Sequence, residues 1–292
     1  MFDKKDEVEI VKRLTGIHDE RRIEINEIGW TSRAYVIDGG KTVFKFPRSA
    51  KFREECKHEI AALKLLKAQT FSLCVPVLNW TSEDNSYFGF YGAPGKPLRE
   101  VIDGLSDGQK AEIGTQIGEF LWQLHGIKTC GDIKALTLEE QALEYQNWYK
   151  KGRNLINGYF NATELNVIDG FFAYEVPESM VGAGELVFCH GDLDYNNTLI
   201  DSENNVGIID FGDAGLYDSS QDFRGMDDEI LLESMMKAYG NDKVISESAS
   251  KTTSKMIDVL NLIYYIENNL TDGVDSIENF LKRVRLKLLK DA

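Results

Sequence analysis

The sequence predicts an α+β chain in two lobes, a small β-rich N-terminal lobe and a larger helical C-terminal one. Three observations predict it. Apolar and polar residues alternate in short runs from Ile23 to Phe46, a proline- and glycine-rich stretch GAPGKP begins at Gly92, and beyond it apolar residues recur at helical spacing.

The opening MFDKKDEVEIVKRL reads as a charged amphipathic helix, with neither the apolar core nor the cleavage site of a signal peptide. IEINEIG, RAYVID and KTVFKFP follow as β-like runs, and the Gly39-Gly40 pair between the last two is a hairpin signal. Pro47 breaks the pattern, after which Ile60, Leu63 and Leu66 of KFREECKHEIAALKLLKA fall on one helical face. VLNW and YFGFY are two further strands. This divides the chain into a lobe over 1–91, a hinge over 92–97 and a helical lobe over 98–292. In the second lobe Ile113, Ile117, Phe120, Leu121 and Leu124 form one apolar stripe, and similar periodicity recurs around 137–151, 161–175, 226–240, 253–269 and 274–290. Its only β-like interruption is ELVFCH, NTLID and VGIID.

The formal net charge of −15 argues against a nucleic-acid partner, because a phosphate backbone requires a basic surface. It permits a cationic ligand, since a cleft of one sign concentrates the other. No apolar run approaches the roughly 18 residues of a membrane span, so a cytoplasmic chain is the expectation, and a monomeric one. Cys56, Cys74, Cys130 and Cys189 are isolated, without metal-ligand spacing, and read as reduced thiols.

The chemistry concentrates in CHGDLDYNNTLIDSENNVGIIDFGDAG, which starts at Cys189. Ionised carboxylates beside apolar strands are costly unless a partner compensates them. Phosphoryl transfer needs such a set: a metal on the phosphate oxygens, a base or orienting group for the attacking hydroxyl, and a cation on the phosphates. Asp192 and Asn197 are separated by LDYN, so both fit one loop. Asp210 ends the apolar run VGIID and is followed by Phe211-Gly212, where the backbone can turn sharply. Hard oxygen ligands of this kind suit Mg²⁺.

HGDLDYNN followed by IIDFG resembles the kinase signature, an H-x-D-x-x-x-x-N loop ahead of a D-x-G metal loop. Gly191, where protein kinases carry Arg, is similar to the aminoglycoside phosphotransferase and choline-kinase group. VFKFP, FGFYGAPGKPL, LWQLHGI, IIDFGDAG and QDF resemble the enzymes that phosphorylate the 2''-hydroxyl of aminoglycosides, over nearly the whole chain. The resemblance implies a protein-kinase-like fold and Mg²⁺-dependent transfer of phosphate from ATP or GTP to a small cationic acceptor, an aminoglycoside first. It implies Asp192 as the catalytic residue, Asn197 and Asp210 as metal ligands, and His190 as a structural member of the loop. Lys45 resembles the strand lysine on the phosphates, with Glu59 as its ion-pair partner; neighbouring Glu54 or Glu55 could take that place. Phe90 stands at the gatekeeper position, and the backbones of Tyr91 and Ala93 at the hinge contacts to the base.

The loop expected to cover the phosphates reads EIGWTSRAY. It has Gly29 alone and no G-x-G-x-x-G, so nucleotide contact rests on Ser32 and backbone amides, with bulky Trp30 at the tip. No A-P-E element or long activation segment follows Asp210, so a protein substrate is not expected. Asp194, Asp227, Asp228 and Glu229 are the candidate carboxylates for a cationic acceptor. His125 reads as a structural helix-end residue, and Asp213, Asp218 and Asp222 as turn or cap residues. Two rivals remain open: a kinase of another hydroxylated molecule such as choline, methylthioribose or a macrolide, and a nucleotide-binding module without turnover.

Overall fold

The computed structural model describes residues 2–128, 131, 133, 136–181, 186–240, 247–270 and 276–290, so Cys130 lies outside the described residues. The first lobe runs α1 (Lys4–Thr15), β1 (Ile23–Asn26), β2 (Ser32–Ile37), β3 (Thr42–Pro47), α2 (Arg53–Lys67), β4 (Val77–Thr81) and β5 (Phe88–Tyr91). Its strands form one antiparallel sheet in the order β1-β2-β3-β5-β4. The period of two along β3 decides what each face does. Phe44 and Phe46 point to one face and are buried with Tyr35 and Ile37 against Ile10 and Val11 of α1. Lys45, one residue out of step, therefore points to the other face, where α2 lies. Buried residues along α2 are Cys56, Glu59, Ile60, Leu63 and Leu66, at helical spacing. A carboxylate inside that apolar stripe requires a partner.

The linker carries the two-residue strand β6 (Lys96–Pro97), and then come α3 (Leu98–Val101), α4 (Asp107–His125), α5 (Leu138–Gly152), α6 (Ala162–Gly170) and α7 (Val176–Val181). The expected helix over 161–175 is interrupted: α6 stops at Gly170, and a π-helical turn over Phe171–Glu175 leads into α7. The apolar spacing is the same through a π-turn and through an α-helix over so short a stretch, so periodicity does not register the break. The chain ends with β7 (Leu186–Cys189), β8 (Thr198–Ile200), β9 (Val206–Ile208), β10 (Gly215–Asp218), α8 (Glu229–Tyr239), α9 (Glu247–Glu267) and α10 (Ile277–Lys287).

One core cluster crosses the lobes, joining Ile60 and Leu63 of α2 and Phe90 of β5 to Ile117, Phe120 and Leu124 of α4 and Met235 of α8. Helices α4 and α8 approach closely because Gly114 and Gly118 have no Cβ; one placed there would lie 2.4 Å from the Leu231 carbonyl oxygen and 2.3 Å from that of Met235. A second cluster, over α5, α6, α9 and α10, fills the outer part of the helical lobe. Among the described residues no helix is long and apolar enough to cross a membrane.

Candidate active site

Two small ladders build the site. Pairing β7 with β10 sets Cys189 opposite Gly215, and pairing β8 with β9 sets Thr198 opposite Ile208. Both loops between these strands, 190–197 and 209–214, must therefore leave side by side at the cleft between the lobes. Gly191 is at φ 87°, where a side chain is strained, and a Cβ there would lie 2.1 Å from the Asp213 carbonyl oxygen. The loops are thus packed backbone to backbone.

The His190 ring holds them together. Its Nε2–H donates to the Ile209 carbonyl at 2.9 Å, which leaves Nδ1 to accept the Asp192 N–H at 3.2 Å. Beneath the loop, Asp222 takes the His190 N–H at 2.8 Å on Oδ2 and the Gly191 N–H at 2.9 Å on Oδ1. His125 Nε2 adds a third bond to Oδ2 at 3.0 Å, and its Nδ1 meets the Tyr239 hydroxyl at 2.8 Å. Burial opposes ionisation of Asp222, but the His125 bond, the His125 and His190 rings and the Gly191 N–H outweigh it and hold the carboxyl below its ordinary range. The expected turn or cap residue is in fact the anchor of the loop.

Asp192 faces the cleft, with 53% of its side-chain surface exposed. Partial burial first, then the charge of Asp213, pushes its carboxyl up to about 8, while Arg224 opposes the shift. Arg224 Nη2 lies 3.9 Å from Asp192 Oδ1 and donates to the Gly191 carbonyl at 2.8 Å. Gln221 donates to the same carbonyl at 3.0 Å.

Asn197 donates from Nδ2 to the Asp192 carbonyl at 2.8 Å, so its Oδ1 is the atom left to face a ligand. Across the loops Asp210 sits in the left-handed region at φ 66°. Lys45 Nζ reaches Asp210 Oδ1 at 2.9 Å and both oxygens of Glu59, at 2.7 and 2.9 Å. Two carboxylates thus share one ammonium. The Lys45 charge holds Asp210 below its ordinary range, whereas burial first, despite Lys45, and then the Asp210 charge push Glu59 up to about 7. Lys45 is pushed up because those charges outweigh its burial, and so keeps its proton. Of the three glutamates weighed as its partner, Glu59 is the one bonded to Lys45; Glu54 pairs with Lys57 and Glu55 accepts from Tyr264. An ionised Asp210 and an amide oxygen of Asn197 are hard donors, a set that fits Mg²⁺.

The other expected residues have distinct placements. Ser32 opens β2 and is buried, with its Oγ 3.5 Å from Cys56 Sγ. Phe90 of β5 is buried in the core that crosses the lobes, Tyr91 is 49% exposed, and Ala93 is buried in the linker. Asp194 accepts the N–H groups of Asn196 at 2.8 Å and Asn197 at 3.0 Å, which shapes the 190–197 loop. Asp227 accepts from the Tyr195 hydroxyl at 2.8 Å. Asp228 caps α8 through the Leu231 N–H and pairs with Lys110 at 2.6 Å. Glu229 opens α8 and is exposed. Three of the four acceptor candidates are therefore engaged within the protein.

Comparison with known proteins agrees with this geometry. The profile of the phosphotransferase enzyme family (APH) matches residues 22–226. The gentamicin complex of APH(2")-IIa superposes with a TM-score of 0.78 at 16% identity, covering 100% of this chain and 97% of that one. The GDP and kanamycin complex of an APH(2") enzyme of type III gives 0.79 at 18% identity, over 99% and 100%. The macrolide 2'-phosphotransferase MphH from Brachybacterium faecium gives 0.66 at 16%, over 97% and 98%. These likenesses establish the fold as the two-lobed, protein-kinase-like one. The profile match spans most of the chain and includes every loop of the site, and on that ground the chain belongs to the phosphotransferase enzyme family.

Proposed function

We propose that the protein transfers the γ-phosphate of ATP or GTP to a hydroxyl of a small molecule, an aminoglycoside first among the acceptors. The single observation that carries this reading is the convergence of Asp192 and Asn197 from one loop, Asp210 from a second and Lys45 from β3 on one cleft. In the reading, Lys45 is held by Glu59 and neutralises phosphate oxygens. Asp210 and the Asn197 amide oxygen would hold Mg²⁺, which when bound supplies positive charge to the phosphate oxygens. Asp192 orients the acceptor hydroxyl and takes its proton as the oxygen–phosphorus bond forms. The bond from the γ-phosphorus to its bridging oxygen breaks, and the nucleoside diphosphate leaves. Asp222 and His190 keep Asp192 in place, so little reorganisation is required as charge moves.

The aminoglycoside acceptor is supported by solved relatives in complex with gentamicin and kanamycin, and by carboxylates around Asp192, with Asp213 and Asp194 both acting on it. An uncharged or weakly charged acceptor such as a macrolide is the second reading. It is favoured by Arg224 beside Asp192 and by the internal bonds of Asp227 and Asp228. A coupled assay of nucleoside-diphosphate release across aminoglycosides, choline and a macrolide tests the proposal; release stimulated by none of them would refute it.

A further inference from the structure

A phosphate loop with a single glycine has to be held over its ligand by something other than its own backbone. The loop joins β1 to β2, and Trp30 stands at its tip. Trp30 does not fold back into the core of its own lobe. Its ring stacks on Tyr264, with centroids 5.8 Å apart and planes 20° from parallel, and meets Tyr265 and Phe280 edge-on at 5.9 and 6.0 Å. Tyr264 and Tyr265 belong to α9 and Phe280 to α10. All other members of the cluster that receives Trp30 lie between residues 138 and 289.

Two polar bonds run parallel to this contact. The Tyr264 hydroxyl donates to Glu55 Oε1 at 2.9 Å, and Lys51 Nζ donates to Asn268 Oδ1 at 2.6 Å. Tyr264 lies in the last turn of α9, and Asn268, one residue beyond its end, stays next to it through its N–H bond to the Tyr264 carbonyl at 3.0 Å. Three points of the first lobe thus grip one stripe of the second. From behind, Arg48 braces the loop, donating to the Gly29 carbonyl at 2.9 Å and to that of Glu27.

We propose that Trp30 is a positioning residue for phosphoryl transfer, a clasp that docks the phosphate loop on α9 and α10 and so holds it down over the triphosphate. The inference rests on the phosphotransferase reading above and explains how that reading works with so few loop glycines. An aromatic pair is strong enough to bias the loop and weak enough to open at each turnover.

The test measures binding of a non-hydrolysable triphosphate with Mg²⁺ to the full-length protein by calorimetry. Trp30→Ala should raise Kd about tenfold, the scale of one or two ring contacts. Tyr264→Ala, which also loses the Glu55 bond, should do at least as much, and the double variant should lose less than the sum of the two, since the Trp30–Tyr264 contact is removed in both. Trp30→Phe should restore most of the loss. Wild-type affinity in Trp30→Ala, or additive losses in the double variant, overturns the clasp. Hydrogen exchange at residues 28–33 separates this from failure of the functional reading. The clasp requires faster exchange there in Trp30→Ala even if the wild-type protein takes up no triphosphate. Unchanged exchange overturns the clasp and leaves the functional reading standing.

Discussion

The N–H of Gly191 donates to Asp222 Oδ1 at 2.9 Å, while the other oxygen of that carboxylate receives the N–H of His190 at 2.8 Å. One buried side chain thereby satisfies two successive amides of the 190–197 loop, and a third bond from His125 fixes its own orientation. The proposed base, Asp192, is the next residue along.

Asp222→Asn should therefore cost stability and turnover together. Asparagine offers one acceptor oxygen to amides that now have two, and its NH₂ would face an N–H group. Disrupting a buried charged network of this kind costs about 3–5 kcal/mol. The folded-state pKa of Asp222 lies below its unfolded value, so its stabilisation is present above about pH 4 and is lost as the pH falls further. Urea unfolding at pH 7 and at about pH 2.5 checks this: the gap between wild type and variant should narrow at the lower pH. A constant gap would mean that Asp222 titrates as it does in the unfolded chain.

Asp192→Asn should keep the fold and bind triphosphate normally but lose roughly 10²–10⁴-fold in transfer rate, the scale of general-base catalysis. Single-turnover transfer together with calorimetric nucleotide affinity separates the two effects. Near-normal turnover would move the base elsewhere.

Asp210→Ala should abolish transfer, because it removes an ionised ligand and leaves Lys45 with Glu59 alone. Asn197→Ala should weaken metal dependence more modestly, since an amide oxygen is a neutral ligand. The rate titrated against Mg²⁺ distinguishes them, and an unchanged metal requirement in both variants would rule out this ligand pair.

Asp228→Ala removes a helix cap and the partner of Lys110. A cap is worth about 1 kcal/mol, so the variant should melt a few degrees lower while its acceptor KM stays that of the wild type. An unchanged melting temperature with a raised acceptor KM would place Asp228 in the acceptor site instead.

Much of this was legible in the sequence, for reasons that can be stated. The resemblance of FKFP marked Lys45, whereas its partner stood open among Glu54, Glu55 and Glu59 until the fold buried Glu59 beside it. HGDLDYNN and DFG carry their spacing with them, so the loops could be placed before their strands were paired. Asp222 was not legible as an anchor, because its partners lie 31 and 32 residues upstream and only the β7–β10 ladder brings them together. Trp30 was visible as a bulky tip, but its contacts lie in α9 and α10, beyond any local pattern. The acidic run at 227–229 shows the opposite limit. A carboxylate that caps a helix and one that awaits a cationic ligand look alike in sequence, and Lys110 and Tyr195 tell them apart only in three dimensions.

The central claim is that Asp192 directs the γ-phosphate to an acceptor hydroxyl. The measurement that tests it most directly follows γ-labelled triphosphate with Mg²⁺ and a panel of aminoglycosides and macrolides, comparing the wild-type protein with Asp192→Asn. The expected result is label on a hydroxyl of at least one acceptor with the wild type and a loss of roughly 10²-fold or more in the variant. Label on no acceptor, or equal labelling by both proteins, would contradict it.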